Sequence, residues 1–115
     1  MKVMLLDESR KRAAQIAEAV GNGKHTLVSC GNSNEFMTAL GETSADKLLL
    51  DVESWNNGKA IYRYFDVSRS LEDMPVVFYN APEEFAGIPD RPKHSKDHIL
   101  TKPTEADSIV EAAMD

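Results

Sequence analysis

The sequence predicts an α/β fold in which a five-stranded parallel sheet is covered by helices on both faces. Short apolar runs of strand length recur along the chain, none has a charged residue in its interior, and segments of helical periodicity separate them. Strands buried on both faces form continuous apolar runs, and strands that alternate with helices pair in parallel. Because such crossovers are right-handed, a doubly wound topology is predicted. The predicted strands are Lys2–Leu6, Thr26–Cys30, Lys47–Asp51, Pro75–Tyr79 and His98–Thr101.

Three of the expected helices have recognisable start signals. The first follows Ser9, a predicted N-cap, and ends at the turn residues 21–23. The second follows Ser33 in the same way. The last follows Thr104, whose spacing to Asp107 resembles a capping box. Each of these helices has apolar residues at the spacing of one buried face.

The two remaining helices carry weaker signals. Ile61, Tyr64 and Phe65 mark the apolar face of a third helix. Between the last two strands, the segment Ala81–Lys96 holds three prolines and one glycine. Since proline disrupts helix interiors, the fourth helix is expected to be short or irregular, near Pro82–Ala86.

The composition is that of a small acidic globular domain. With 115 residues, 42% of them apolar, the chain is expected to form one domain, residues 1–115. The single cysteine, Cys30, excludes a disulfide scaffold and a multi-cysteine zinc site, and suits the reducing cytoplasm. The net charge of −6 argues against nucleic-acid binding. The longest apolar run near the N-terminus, Val3–Leu6, is too short for a signal peptide or a membrane span, so no membrane contact is expected.

Charged and polar residues follow the predicted strands. Asp7 and Glu8 come after the first strand, Asp51 ends the third, Asn80 follows the fourth and Lys102 follows the fifth. In such sheets, ligands bind outside the carboxyl ends of the strands, where these side chains would meet. Packed carboxylates need a cation, and oxygen ligands with room for water favour Mg²⁺. Asp51 is then a candidate nucleophile toward phosphate, and Lys102 would offset phosphoryl charge.

Each of these residues alone has a simpler interpretation, because acidic residues at strand ends commonly cap the next helix. Three charged groups at the ends of strands one, three and five are less expected by chance, and the set rather than any member carries the prediction. Two basic clusters are interpreted as solvated surface. Arg10–Arg12 opens the first helix and at most borders a phosphate entrance. Arg91–Lys96 precedes the last strand, where a partner contact is the alternative.

These residues resemble the receiver domain of two-component response regulators. The similarity covers the whole chain, with family-like spacing from Asp7 to Asp51 and from Asn80 to Lys102. It implies the flavodoxin-like receiver fold with strand order 2-1-3-4-5, and a signalling domain that is not itself an enzyme. It also implies phosphoryl transfer from a sensor histidine kinase or a histidine phosphotransferase, and a downstream protein partner. The matching segments are Met4–Glu8, Leu48–Asp51, Met74–Ala81 and Ile99–Pro103.

The resemblance implies a role for each matching residue. Asp51 corresponds to the phosphorylated aspartate, and Lys102, before a cis proline, to the lysine that pairs with phosphate. Asp7 and Glu8 correspond to the acidic pair that holds Mg²⁺, together with Asp51 and the backbone carbonyl of Glu53. Glu8 is one methylene longer than the family's usual aspartate, which would shift the metal geometry.

Three departures from the family pattern concern switching. Asn80 stands where the family has the switch threonine or serine, and its amide can still donate to a phosphoryl oxygen. Ile99 stands where the family has the switch aromatic residue. The predicted loop Val52–Gly58 lacks the customary proline and contains Trp55. Ordinary coupling between a hydroxyl and an aromatic side chain is therefore not expected.

The sequence leaves two functions open. The first is a Mg²⁺-dependent phosphoacceptor domain with atypical switching, in which Asp51 is the acceptor and Asn80 and Lys102 hold phosphoryl oxygens. The alternative is a pseudo-receiver, an interaction module whose output does not depend on phosphorylation. A flavodoxin-like cofactor protein or hydrolase is disfavoured, because the sequence has no glycine-rich phosphate loop and no Ser/His/Asp arrangement.

Overall fold

The computed structural model describes residues 1–22, 25–42, 44–55, 74–84 and 97–114. The strands are β1 Lys2–Leu6, β2 Thr26–Cys30, β3 Lys47–Asp51, β4 Val76–Ala81 and β5 His98–Thr101. The helices in these ranges are α1 Arg10–Asn22, α2 Ser33–Glu42, α3 Val52–Trp55 and α4 Ala106–Met114. All strand pairs are parallel and the order is β2-β1-β3-β4-β5, which confirms the predicted doubly wound topology.

The sheet carries an apolar layer on each face, because successive side chains of a strand point in opposite directions. One layer packs against α2 and includes the buried thiol of Cys30, as predicted; burial and the nearby Glu35 raise the pKa of this thiol. The opposite layer packs against α1 and α4. Its fully buried side chains are Val3, Leu5, Ile16, Val20, Leu49, Val77, Tyr79, Ile109 and Ala113.

The strand β4 is displaced toward the C-terminus relative to the predicted Pro75–Tyr79. The proline at the predicted start has no N–H to give to the ladder. At the other end, Ala81 pairs with Thr101, and its carbonyl accepts a hydrogen bond from the backbone N of Lys102 at 3.0 Å. Asn80 therefore lies inside the strand rather than after it.

The N-cap prediction is correct for α1 and off by one residue for α2. Ser9 Oγ accepts a hydrogen bond from the backbone N of Arg12 at 3.3 Å. In α2, Asn32 Oδ1 accepts from the backbone N of Glu35 at 2.9 Å, so Asn32 is the cap and Ser33 is the first helical residue. Asparagine caps helices as well as serine does, and here it comes first in the chain.

Several predictions fall outside the described residues. The apolar positions 61, 64 and 65, on which a third helix was predicted, lie in an undescribed range, and so does the basic cluster Arg91–Lys96. Of the predicted short helix near Pro82–Ala86, only the turn at Glu83 and Glu84 is described. Among the described helices, none is long and apolar enough to cross a membrane.

Lys47 is a buried lysine that closes the C-terminal end of α4. Its Nζ donates to the carbonyl oxygen of Ala113 at 2.9 Å and lies 3.5 Å from that of Ala112, and the residue is 4% exposed. The last carbonyls of a helix lack intrahelical partners and carry partial negative charge, so an ammonium group there is stabilising.

We expect the substitution Lys47→Met to lower the free energy of unfolding by about 1–2 kcal/mol, because the helix end loses its cationic partner. Urea denaturation followed by circular dichroism measures this change. The control is Lys11→Met at an exposed position of α1, which should change stability by less than about 0.5 kcal/mol. Equal effects of the two substitutions would contradict the assigned role of Lys47.

Candidate functional site

Asp7 and Asp51 lie side by side at the carboxyl ends of β1 and β3. Leu6 pairs in register with Leu50, so Asp7 and Asp51, the residues that follow them, come at the ends of two neighbouring strands. Side-chain alternation directs both carboxylates to the face that α1 covers, the face of Leu5. Asp7 is 2% exposed and Asp51 is 1% exposed. Two buried carboxylates that share one neighbouring group repel each other and need a cation.

The cation in the structure is Arg12, the third residue of α1. Its Nε donates to Asp7 Oδ2 at 2.5 Å, and its Nη2 donates to Asp7 Oδ1 at 2.9 Å and to Asp51 Oδ2 at 3.0 Å. These hydrogen bonds to Asp7 raise the pKa of Arg12 above its ordinary value, against the opposing effect of partial burial. The interpretation of Arg10–Arg12 as a solvated face is therefore wrong at Arg12. Ser9 caps α1 two residues after Asp7, which leaves the third residue of the helix within reach of the acidic pair.

Asp7 has two further donors. The backbone N of Ser9 donates to its Oδ1 at 2.8 Å, and the Tyr79 hydroxyl donates to its Oδ2 at 2.7 Å. The Tyr79 ring also lies under the guanidinium of Arg12, with 5.7 Å from Cζ to the ring centroid, within cation–π range. Arginine, tyrosine and aspartate thus form one buried network, which fixes the orientation of each group.

Asp51 is held by α3, which follows β3 with no residue between them. Ser54 Oγ donates to Asp51 Oδ2 at 2.5 Å, and the backbone N of Glu53 donates to Oδ1 at 3.3 Å. The Asn80 amide donates to the same Oδ1 at 3.3 Å. The segment Val52–Gly58, predicted as a loop, thus begins as a helix through Trp55, because Asp51 binds donors of its first turn.

Asn80 is locked between Asp51 and the segment that leads into α4. Its backbone N donates to Thr104 Oγ1 at 3.0 Å, and its side-chain Oδ1 accepts from the backbone N of Thr104 at 3.0 Å. Asn80 has a φ of 53°, and the register with β5 shifts between Phe78 and Ala81, which marks a bulge. Asparagine tolerates this left-handed conformation better than other residues with a side chain.

The capping box predicted at Thr104 is not formed. The Thr104 hydroxyl accepts from Asn80 and donates toward the carbonyl oxygen of Thr101, at 3.0 Å. The first bonds of α4 run instead to the carbonyl of Glu105, from the backbone N of Ser108 at 3.1 Å and of Ile109 at 3.2 Å. The Thr104 hydroxyl therefore binds the backbone of Asn80 and does not cap the first turn of α4.

Among the described residues, two of the other predicted site residues form no hydrogen bond or ion pair with Asp51. Glu8 and Lys102 are exposed, and among the described residues the only cation within ion-pair distance of Asp51 is Arg12. The Lys102–Pro103 peptide bond is cis, as the resemblance implied. Glu8 enters the site through its backbone, whose N donates to Ser54 Oγ at 3.0 Å. Ile99, at the position of the aromatic switch, is 44% exposed.

The donor set does not fit the predicted Mg²⁺ ion. Each of the four oxygens of Asp7 and Asp51 already accepts two hydrogen bonds, three of the eight from Arg12. A carboxylate offers about four lone-pair sites, so both groups are saturated. In the described part of the chain, no three His, Cys, Asp or Glu side chains gather as metal ligands. The ligand set Asp7, Glu8, Asp51 and Glu53 is therefore not assembled in this arrangement.

Three residues of the site have no counterpart in the predicted set. Arg12 was predicted to lie on the solvated surface, and its spacing from the Ser9 cap does not by itself indicate that it faces the acidic pair. Ser54 lies three residues after Asp51, a spacing at which a hydroxyl in the first turn of a helix can reach the preceding carboxylate. In the sequence, Tyr79 is indistinguishable from the other apolar residues of its strand. Only its position two residues after Val77 indicates that its side chain lies on the same face of the sheet, toward α1.

Tyr79 makes the stability of the protein pH-dependent. Burial and the neighbouring Asp7 raise the pKa of this phenol well above its ordinary value. The folded state therefore favours the neutral phenol, and this contribution is present below pH ~10 and lost above it, where tyrosine ionises in the unfolded chain. The unfolding free energy should fall by about 1.4 kcal/mol per pH unit above that point from this group alone.

We expect Tyr79→Phe to remove this part of the alkaline decline and to cost about 1–2 kcal/mol at neutral pH, where Asp7 loses a donor. Urea denaturation of both proteins between pH 7 and pH ~11 tests this. The difference between the two stability curves should narrow at alkaline pH. Curves that stay parallel throughout would contradict the assignment, because Cys30 and the other tyrosines titrate equally in both proteins.

Solved structures of response-regulator receiver domains share this fold. The chemotaxis response regulator CheY4 of Vibrio cholerae matches with a TM-score of 0.72 at 12% identity, over 98% of this chain and 95% of that chain. A response regulator from Thermotoga maritima gives 0.67 at 24% identity, over 98% and 93%. A CheY-like receiver domain protein from Methanospirillum hungatei gives 0.67 at 19% identity, over 96% and 88%. Neither the protein-family models nor the curated proteins give a match. The chain has the flavodoxin-like receiver fold of response regulators, as the sequence predicted.

Proposed function

We propose that this protein is a signalling module that uses a receiver fold to bind protein partners, with Asp51 held in an internal ion pair rather than open as a phosphoacceptor. The observation that carries this proposal is the state of the Asp51 carboxylate. It is 1% exposed, and each of its oxygens accepts two hydrogen bonds. A carboxylate that attacks phosphorus needs a free lone pair and an open approach, and this one has neither.

The position of the switch residue supports the same function. In receiver domains that switch on phosphorylation, a threonine or serine hydroxyl moves toward the phosphoryl group. Here Asn80 is fixed by its reciprocal hydrogen bonds with Thr104 and by a bulge in β4. A switch residue must change conformation when the aspartate is modified, and these hydrogen bonds hold Asn80 in one conformation. We therefore propose that Asn80 does not transmit a change at Asp51 to the rest of the domain.

The proposed partners are proteins of the cytoplasm, such as a sensor kinase or a downstream effector, rather than nucleic acid or membrane. The net charge of −6 disfavours nucleic acid, and the single buried thiol suits a reducing compartment. No enzymatic activity is proposed for the chain.

The second candidate is the phosphoacceptor function that the sequence predicts. Asp51 at the end of β3, the Asn80 amide 3.3 Å away and Lys102 before the cis Pro103 favour it. In this function an Asp51 oxygen would attack the phosphorus of a phosphohistidine and the P–N bond would break. The histidine, already protonated on its other ring nitrogen, would leave as a neutral imidazole. Arg12 would first have to release Asp51 Oδ2.

Incubation with acetyl phosphate and Mg²⁺, followed by intact-mass measurement, separates the two functions. We expect no phosphoryl adduct on the wild-type protein, while a phosphorylatable receiver domain in the same reaction acquires one. An adduct that appears on wild type and is absent from Asp51→Asn would overturn the proposed function in favour of the phosphoacceptor. Beryllofluoride with Mg²⁺ provides a second readout, through Trp55 fluorescence, which should not change.

A further inference from the structure

We propose that Arg12 is the resident cation of this acidic centre: it excludes divalent metal ions from Asp7 and Asp51, and its removal creates a divalent-cation site there. This inference concerns the same residues as the proposed function but does not rest on it, because it is a statement about ion binding and not about signalling output.

The first argument is the occupancy of the carboxylate oxygens. Arg12 donates three of the hydrogen bonds, at 2.5, 2.9 and 3.0 Å, and so contacts both oxygens of Asp7 and one of Asp51. Hard cations such as Mg²⁺ bind oxygen ligands at about 2.1 Å with near-octahedral geometry. An ion between the two carboxylates would need the lone pairs that now point at the guanidinium, so the ion and Arg12 compete for the same oxygens.

The second argument is charge. Asp7 and Asp51 carry two negative charges, and Arg12 reduces the sum to one. A divalent ion added beside Arg12 would reverse the sign of a centre whose two carboxylates are almost fully buried. The same ion in place of Arg12 would balance the two carboxylates. Because interactions between charges are strong at low exposure, the guanidinium disfavours the ion by repulsion as well as by occupancy.

The third argument is access. Arg12 also lines an open cleft of about 550 Å³ between α1 and α4, together with Ser9 and Thr104. Arg12 thus both lines the cleft and binds the carboxylates, with a quarter of its side-chain surface exposed. We therefore expect a shorter side chain at this position to give ions an approach to the carboxylates from the cleft. Mg²⁺ usually keeps several of its waters when it binds to proteins, and the cleft provides room for them.

The experiment measures binding of Mn²⁺, a paramagnetic substitute for Mg²⁺, by electron paramagnetic resonance. We expect no saturable binding to wild type. Arg12→Gln should bind one ion that Mg²⁺ displaces, and should saturate at a Mn²⁺ concentration at least about 30-fold below the highest one at which wild type shows no saturable binding, since a neighbouring positive charge has been removed. The double variant Arg12→Gln/Asp51→Asn should lose this binding. The matched control is Arg10→Gln, at an exposed position of the same helix, which should behave as wild type.

Thermal unfolding gives a second measurement that does not need a fully stable variant. Mg²⁺ should raise the unfolding midpoint of Arg12→Gln and of Arg12→Ala relative to EDTA, because an ion that binds only the folded state stabilises it. It should leave wild type and Arg10→Gln unchanged. Saturable Mn²⁺ binding by wild type would overturn the inference, and so would a folded Arg12→Gln without gain in either measurement.

The outcome is independent of the proposed function. A wild-type protein that forms a phosphoryl adduct on Asp51 but binds no Mn²⁺ would overturn the proposed function and support metal exclusion by Arg12. A wild-type protein that binds Mn²⁺ but forms no adduct would overturn metal exclusion and support the proposed function.

Discussion

Replacing Arg12 with alanine in metal-free buffer should lower the free energy of unfolding by about 3 kcal/mol. The substitution leaves Asp7 and Asp51 buried next to each other without a counter-charge, and removing one partner of a buried ion pair is among the most destabilising changes known. Partial exposure of the guanidinium keeps the expected loss at the lower end of the usual range. Urea denaturation in the presence of EDTA measures it.

Arg12→Lys should recover only part of this loss. A lysine ammonium is a point charge with no planar fork, so it cannot bind Asp7 through two nitrogens and reach Asp51 as well. The control is Arg10→Ala, at an exposed position of α1, with an expected change below about 0.5 kcal/mol. If Arg12→Ala were as stable as Arg10→Ala, the ion pair would not be the organising contact of the site.

Replacing Asn80 with threonine, the residue type common at this position in receiver domains, should destabilise the protein by about 2–4 kcal/mol. The loss has two physical sources. The φ of 53° at Asn80 is costly for a β-branched residue, and threonine cannot reproduce the amide contacts with both Asp51 and Thr104. Thermal and urea unfolding of the variant measure the sum of the two.

Asn80→Gly separates these two sources. Glycine adopts a positive φ without strain but has no amide, so it loses only the side-chain hydrogen bonds. We expect Asn80→Gly to lose about 1–2 kcal/mol and to be more stable than Asn80→Thr. A threonine variant at least as stable as the glycine variant would show that the bulge relaxes freely. The lock that we assign to Asn80 would then not exist.

The fold could be predicted from the sequence because its signals are local and repeated. Five apolar runs without interior charge, separated by helical segments, define a parallel sheet whatever the details of packing. The prediction that polar groups meet at one sheet edge follows from the same topology, and Asp7, Asp51 and Asn80 do meet there. The errors in the predicted element boundaries are small, such as the cap of α2 and the displacement of β4. At these boundaries, single hydrogen bonds of the helix cap or of the strand ladder determine which of two neighbouring residues begins or ends the element.

The occupants of the site could not be predicted in the same way. Whether an arginine in the first turn of a helix faces solvent or the sheet depends on how the helix is set over the strands, which sequence spacing does not specify. Arg12 and its exposed neighbour Arg10 look alike in the sequence. The capping box predicted at Thr104 was wrong for a related reason. Its hydroxyl binds Asn80, a residue of β4 that lies 24 positions earlier in the chain, instead of the start of its own helix. Long-range partners of polar side chains are the information that a single sequence lacks.

The shared hydrogen bonds of Asp7 and Asp51 also have an evolutionary consequence. Arg12 comes from α1, and Tyr79 and Asn80 come from β4, yet all three donate hydrogen bonds to this one pair of carboxylates. Replacing one of them leaves a buried carboxylate oxygen without a hydrogen-bond donor. Substitutions at these positions should therefore occur together in evolution. In related chains we expect an arginine five residues after the first aspartate to occur together with a Tyr-Asn pair at the end of β4. Chains with a threonine at the position of Asn80 should have a different residue at the position of Arg12. The joint presence of the arginine and the Tyr-Asn pair would then distinguish, by sequence alone, receiver folds whose aspartate is held in an ion pair from those that are phosphorylated.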